Sequence, residues 1–100
     1  MKYKIEKYII IDDPKYGALG DDFSFTEIET LNIIINDIET VLAGKSEMKS
    51  IYGNMCYKID VYKEFSSIYC YDEQLGEESS NEIYNMLKEY RESIPSSAVC

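Results

Sequence analysis

Residues 55–72, MCYKIDVYKEFSSIYCYD, decide the fold. In 55–62, Tyr57, Ile59 and Val61 alternate with Cys56, Lys58, Asp60 and Tyr62. In 65–72, Ile68 and Cys70 alternate with Ser67, Tyr69 and Tyr71. Side chains of period two belong to strands, because successive residues of an extended chain point to opposite faces. Two such runs joined at Lys63-Glu64 make a hairpin. The joint lacks Asn-Gly chemistry, so its register stays open. One face of the hairpin is aliphatic and needs a cover. The other carries Tyr62, Tyr69 and Tyr71 among charged neighbours.

Working outward, residues 48–53 read as a further short strand ending at Gly53-Asn54. Upstream lies a helical segment. Ser24-Phe25-Thr26-Glu27 has the spacing of a capping box, and Phe23 and Ile28 are placed for a hydrophobic staple. Ile28, Leu31, Ile34, Ile35, Ile38, Val41 and Leu42 fill one arc at 100° per residue, with Glu29, Asn32, Asn36 and Thr40 opposite. Gly44 is the expected left-handed residue past the helix end. Residues 2–11 alternate and end in Ile9-Ile10-Ile11, which reads as one strand stopped by Asp12-Asp13-Pro14. Residues 12–22 (DDPKYGALGDD) read as a loop. Downstream, 72–80 (DEQLGEESS) reads as an acidic loop. A second capping box, Ser79-Ser80-Asn81-Glu82, opens a helix whose buried face is Ile83, Met86, Leu87, Tyr90 and Ile94. Pro95 stops it, and 96–100 is expected to fray. The order β-α-β-β-β-α points to an α+β fold. An antiparallel sheet of three to four strands would carry both helices on one face, in a single domain over 1–100.

The charge is unevenly placed. The formal net charge is −9. Residues 21–44 contain six acids and no base, and residues 64–100 contain eight acids and two bases. Residues 1–20 and 45–63 are slightly positive. That pattern favours a basic partner and argues against direct contact with nucleic acid, whose phosphates it would repel. No run of apolar residues is long enough to span a membrane, and no signal-peptide pattern opens the chain. A cytoplasmic protein is expected, with reduced thiols. Cys56, Cys70 and Cys100 are odd in number, although Cys56 and Cys70 could face each other across the hairpin.

The chain has no histidine. The usual general base near neutral pH is therefore missing, as is every Ser-His or Cys-His nucleophile. No cysteine pair has short zinc spacing. The loop between Asp12-Asp13 and Asp21-Asp22 does not match a calcium loop. Asp21 and Asp22 are better placed to face the positive end of a helix dipole. No catalytic residue, metal or cofactor is assigned.

Asp72, Glu73, Glu77, Glu78 and Glu82 put five acids into eleven residues with no base. Helix-end electrostatics accounts for Glu78 and Glu82, and the rest repel one another without return. Tyr69 and Tyr71 lie beside them, and tyrosine is a common interface anchor. These seven residues are the candidate partner-binding surface. A second candidate is Asp21, Asp22, Glu29 and Ile33, because Ile33 is an apolar residue on the polar side of its helix.

A small, acidic, histidine-free α+β domain with an acidic-aromatic patch, here the Tyr69 to Glu82 region, resembles bacterial immunity proteins that neutralise toxins. Those of contact-dependent growth inhibition systems and bacteriocins are examples. The resemblance implies a one-to-one complex with a cognate toxin domain, commonly a nuclease. The inhibitor would block the active site or an adjacent surface, its acids standing in for phosphates. The alternatives are an acidic nucleic-acid mimic acting on another host DNA- or RNA-binding protein, and a small carboxylate-based enzyme or metal-binding domain.

Overall fold

The computed structural model describes residues 1–94. Pro95 and the expected frayed tail, with Cys100, lie outside them. The chain is α+β. The hairpin expected at 55–72 is present as β4 (Tyr57–Tyr62) and β5 (Phe65–Cys70). It is flanked by β3 (Met48–Tyr52) and β6 (Glu73–Ser79), giving a four-stranded antiparallel meander in the order β3-β4-β5-β6. Ile59 pairs with Ile51 on one side and Ile68 on the other. With Val61, these residues form the buried sheet face. Two helices cover that face, α2 (Ile28–Leu42) over β3 and β4, and α3 (Ser80–Ser93) over β5 and β6.

Leu31, Ile34, Ile35, Ile38 and Val41 of α2 are buried, as are Ile83, Met86, Leu87 and Tyr90 of α3. The helices are also linked by polar side chains. The Tyr84 hydroxyl donates to Glu39 at 2.6 Å, and Arg91 Nε donates to Asn32 at 2.8 Å. After α2, Gly44 has φ of 79°. Its N–H bonds to the Val41 carbonyl, and the Lys45 N–H to Thr40, each at 3.0 Å. That is the Schellman arrangement, which needs a residue at ease with positive φ.

Five sequence expectations are corrected. The strand expected over 2–11 is a hairpin, β1 (Tyr3–Ile5) and β2 (Ile9–Ile11), with Tyr3 opposite Ile11. Ten extended residues would reach ~33 Å, far past the end of a 14-residue helix. Folding back at the exposed Glu6, Lys7 and Tyr8 keeps the isoleucines near the core. The loop expected over 12–22 contains a 3-10 turn (Pro14–Tyr16), capped by Asp13 accepting from the Lys15 N–H at 3.2 Å, and then α1 (Leu19–Ser24). This segment buries Tyr16, Leu19 and Phe23 completely.

The capping box at Ser24 does not form, because Ser24 ends α1 and α2 begins after Glu27, which makes no side-chain cap. Ser24 is instead buried at a junction of three elements. Its hydroxyl accepts from the Ile9 N–H at 2.8 Å and donates to the Gly20 carbonyl at 2.7 Å, while its own carbonyl accepts from the Tyr90 hydroxyl at 2.7 Å. The acidic loop expected over 72–80 is largely the edge strand β6. Leu75 is the extra residue of a bulge, since Ile68 pairs with Gly76 and Tyr69 with Gln74. Glutamates on an edge strand discourage pairing with other chains, so the acids suit the strand that composition alone disguised. At the second box, Ser79 does hold the N-cap position, but its hydroxyl makes no cap bond. Ser80 anchors the helix instead, through Tyr62 and Ser66.

Candidate functional site

The meander leaves one face free of helices. The pairing register places Met48, Ser50 and Tyr52 of β3 there, with Lys58, Asp60 and Tyr62 of β4, Phe65, Ser67 and Tyr69 of β5, and Glu77 of β6. Much of it is occupied by its own contacts. The Lys58 ammonium lies 4.7 Å from the Tyr69 ring centroid and 3.6 Å from Asp60. The Ser50 hydroxyl donates to Asp60 at 2.6 Å, and Tyr62 stacks on Phe65 with centroids 4.9 Å apart.

The least satisfied surface is at one end of this sheet. The β3–β4 connection and the two-residue β5–β6 turn lie side by side there, joined by the Tyr71 N–H donating to the Cys56 carbonyl at 3.0 Å. Met55 is 82 % exposed, Tyr71 78 %, Phe25 63 % and Tyr52 62 %. Met55, Tyr71 and Tyr52 line a cleft of about 410 Å³ together with Cys56, Tyr57 and Asp72. Phe25 adjoins it, since its carbonyl accepts from the Asn54 side chain at 2.8 Å. Isolated exposed apolar residues are ordinary, but four brought to one end of the sheet make it the candidate interaction surface.

What holds this end is a buried carboxylate. Asp22 of α1 accepts from the Met55 N–H at 2.7 Å and the Tyr57 N–H at 3.2 Å. It packs so closely on Gly53 that any side chain there would collide with it. Tyr57 turns back and accepts from the Ala18 N–H at 3.0 Å. Burial raises the Tyr57 pKa above the ordinary tyrosine value, although that bond opposes it. Asp21, Glu27, Asp72 and Glu73 are exposed at or near this end. No ion pair among the described residues neutralises them.

The structure divides the seven residues of the first candidate surface. Tyr71, Asp72 and Glu73 belong to the end just described. Tyr69 and Glu77 lie on the open sheet face, Tyr69 half-covered. Glu78 and Glu82 are turned to the opposite side of β6 and serve the fold. The N-terminal ammonium lies 3.1 Å from Glu78 and 2.9 Å from Glu82. The Tyr16 hydroxyl donates to Glu78, and Lys15 lies 3.7 Å away. Burial alone would raise the Glu78 pKa. The hydrogen bonds from Tyr16 and the ammonium outweigh it and hold the carboxyl below its usual range. The ammonium is correspondingly raised, first through Glu82 and then Glu78.

Of the second candidate set, Asp22 is buried and structural. Asp21 is exposed on α1, and Glu29 and Ile33 share an exposed face of α2, with Ile33 62 % exposed. Tyr52, Met55 and Phe25 were missed by sequence reasoning. The signal available was Gly53-Asn54: a turn there places Met55 at a loop tip rather than inside a strand.

Among the described residues, no three cysteine or carboxylate side chains are grouped to hold a metal ion, and no helix is long and apolar enough to cross a membrane. Comparison with protein-family models, curated proteins and solved structures gave no match.

Proposed function

We propose that this chain is a cytoplasmic immunity protein that binds and neutralises a cognate bacterial toxin, a nuclease with a basic surface. The observation that carries this reading is the sheet end where Tyr52, Met55, Tyr71 and Phe25 stand exposed beside Asp21, Glu27, Asp72 and Glu73. Large side chains supply desolvated anchors, and unpaired acids around them supply steering and selectivity for positive charge. Inhibition of this kind needs no catalytic group. The acids present a negative surface to a cleft shaped for phosphates. An acidic mimic of nucleic acid, directed at another host DNA- or RNA-binding protein, would use the same charge.

The test starts from the neighbouring genes: a toxin domain encoded there is co-expressed with this chain. The chain should restore growth, and the triple variant Tyr52→Ala, Met55→Ala, Tyr71→Ala should lose protection while keeping its far-UV and near-UV spectra. A folded triple variant that protects as well as the parent would move the site elsewhere, first to Glu29 and Ile33. Failure to rescue, with inhibition of an unrelated nucleic-acid-binding protein, would favour the mimic.

A further inference from the structure

We infer that Cys56 and Cys70 form a disulfide site, convertible by a small dialkyl disulfide of the glutathione class, that staples the β3–β4 connection to the end of β5. The Cys70 thiol donates to Cys56 Sγ at 3.2 Å, and both residues are free and part-exposed. Tyr57 is paired with Cys70 at the end of the ladder, and Cys56 precedes β4 in the connection, where its carbonyl accepts from the Tyr71 N–H, so the two thiols meet where the ladder ends. Bond formation at ~2.04 Å requires the sulfurs to close by little more than an ångström. Side-chain rotation can supply that without moving the strands. Cys56 also lines the open cleft with Tyr52, Met55 and Tyr71, which gives a small reagent access.

The chemistry balances as two exchanges. One protein thiolate attacks a sulfur of the oxidised reagent, and one reagent thiolate leaves. The second protein thiolate then attacks the protein sulfur of the mixed disulfide and expels the other half. The pair loses two protons and two electrons, and the reagent disulfide is reduced to two thiols. The hydrogen bond shared by the two thiols, followed by burial, raises the Cys56 thiol to about 11.

The site is independent of the proposed partner, and so is its test. A Cys100→Ser chain is equilibrated with mixtures of reduced and oxidised glutathione. Intact mass should fall by two hydrogens, and trypsin should release residues 50–58 linked to residues 64–88. Closing a loop of about 15 residues should raise Tm by at least roughly 5 °C, reversibly with dithiothreitol. The native chain should oxidise at a lower fraction of oxidised glutathione than the same chain in urea. A Cys70→Ser variant should gain only a mixed disulfide, with no rise in Tm. The inference fails if the native chain yields only glutathione adducts, or if it oxidises no more readily than the urea-unfolded chain.

Discussion

Replacing Ser24 with alanine separates the observed junction from a helix cap. The substitution removes the acceptor of the Ile9 N–H, which is buried, and the donor to Gly20. An orphaned buried amide costs about 1–3 kcal/mol. A lost neutral hydrogen bond to a carbonyl that keeps its helical partner adds little. A loss of ~2 kcal/mol is expected, or roughly 8–16 °C in Tm for a domain of this size. An N-cap substitution would cost ~1 kcal/mol, so alanine alone discriminates poorly. Ser24→Asp discriminates well. Aspartate caps a helix as well as serine does, but at this junction it buries an unpaired charge facing the Gly20 carbonyl, and the chain should fail to fold near neutral pH. Urea denaturation followed by tyrosine fluorescence and far-UV circular dichroism measures both. A midpoint for Ser24→Asp within ~0.5 kcal/mol of the parent, with Ser24→Ala costing only ~1 kcal/mol, would refute the junction and restore the cap.

Asp22→Ala should cost at least ~2 kcal/mol, because two backbone donors at Met55 and Tyr57 lose their acceptor; equilibrium denaturation checks it. Thr26→Val should be neutral or stabilising by up to ~1 kcal/mol, since the Thr26 hydroxyl is buried without a partner. Tyr71 has φ of 57°, rare outside glycine and asparagine, so Tyr71→Asn should raise the denaturation midpoint by ~0.5–1 kcal/mol while weakening partner binding. The Glu78 pKa is lowered by folding, so its contribution is present above the ordinary carboxylate value and lost as pH falls through the lowered one. Urea midpoints from pH 7 to 3 should therefore decline, and Glu78→Gln should flatten that decline. Partner association should slow markedly above ~0.15 M salt, where exposed charges are screened beyond ~8 Å; stopped-flow rates at two salt concentrations decide it.

The elements legible in the sequence are those whose stability is local or periodic. The stripe from Ile28 to Leu42, the alternation of Tyr57 to Tyr62 and the glycine at position 44 each state their geometry within a few residues. Elements held by distant partners were not legible. Ser24 has the spacing of a cap, but its hydroxyl is engaged by Ile9, fifteen residues away. Glu78 looks like surface charge, but Tyr16 lies sixty-two residues from it in sequence. β6 was hidden because pairing with β5, not its own composition, makes it a strand. The candidate site divided in the same way. Tyr71 and Asp72 follow from the hairpin, whereas Met55 and Phe25 reach the same end only because Asp22 and Asn54 tie three segments together.

The polar clasps also divide the chain by how its parts should open. The meander and its two helices close mainly through neighbours in sequence, whereas residues 1–25 attach to them through the buried Ile9, Leu19 and Phe23 and through Ser24, Asp22, Tyr16 and Tyr3, each bonded far along the chain. Under native conditions that first quarter should detach as one cooperative unit before global unfolding. Amides of β1, β2 and α1 should then exchange with solvent deuterium at a common free energy, below that of Ile59 and Ile68. The Met55 and Tyr57 amides should exchange with that early group, despite lying in the middle of the sequence, because their acceptor departs with α1.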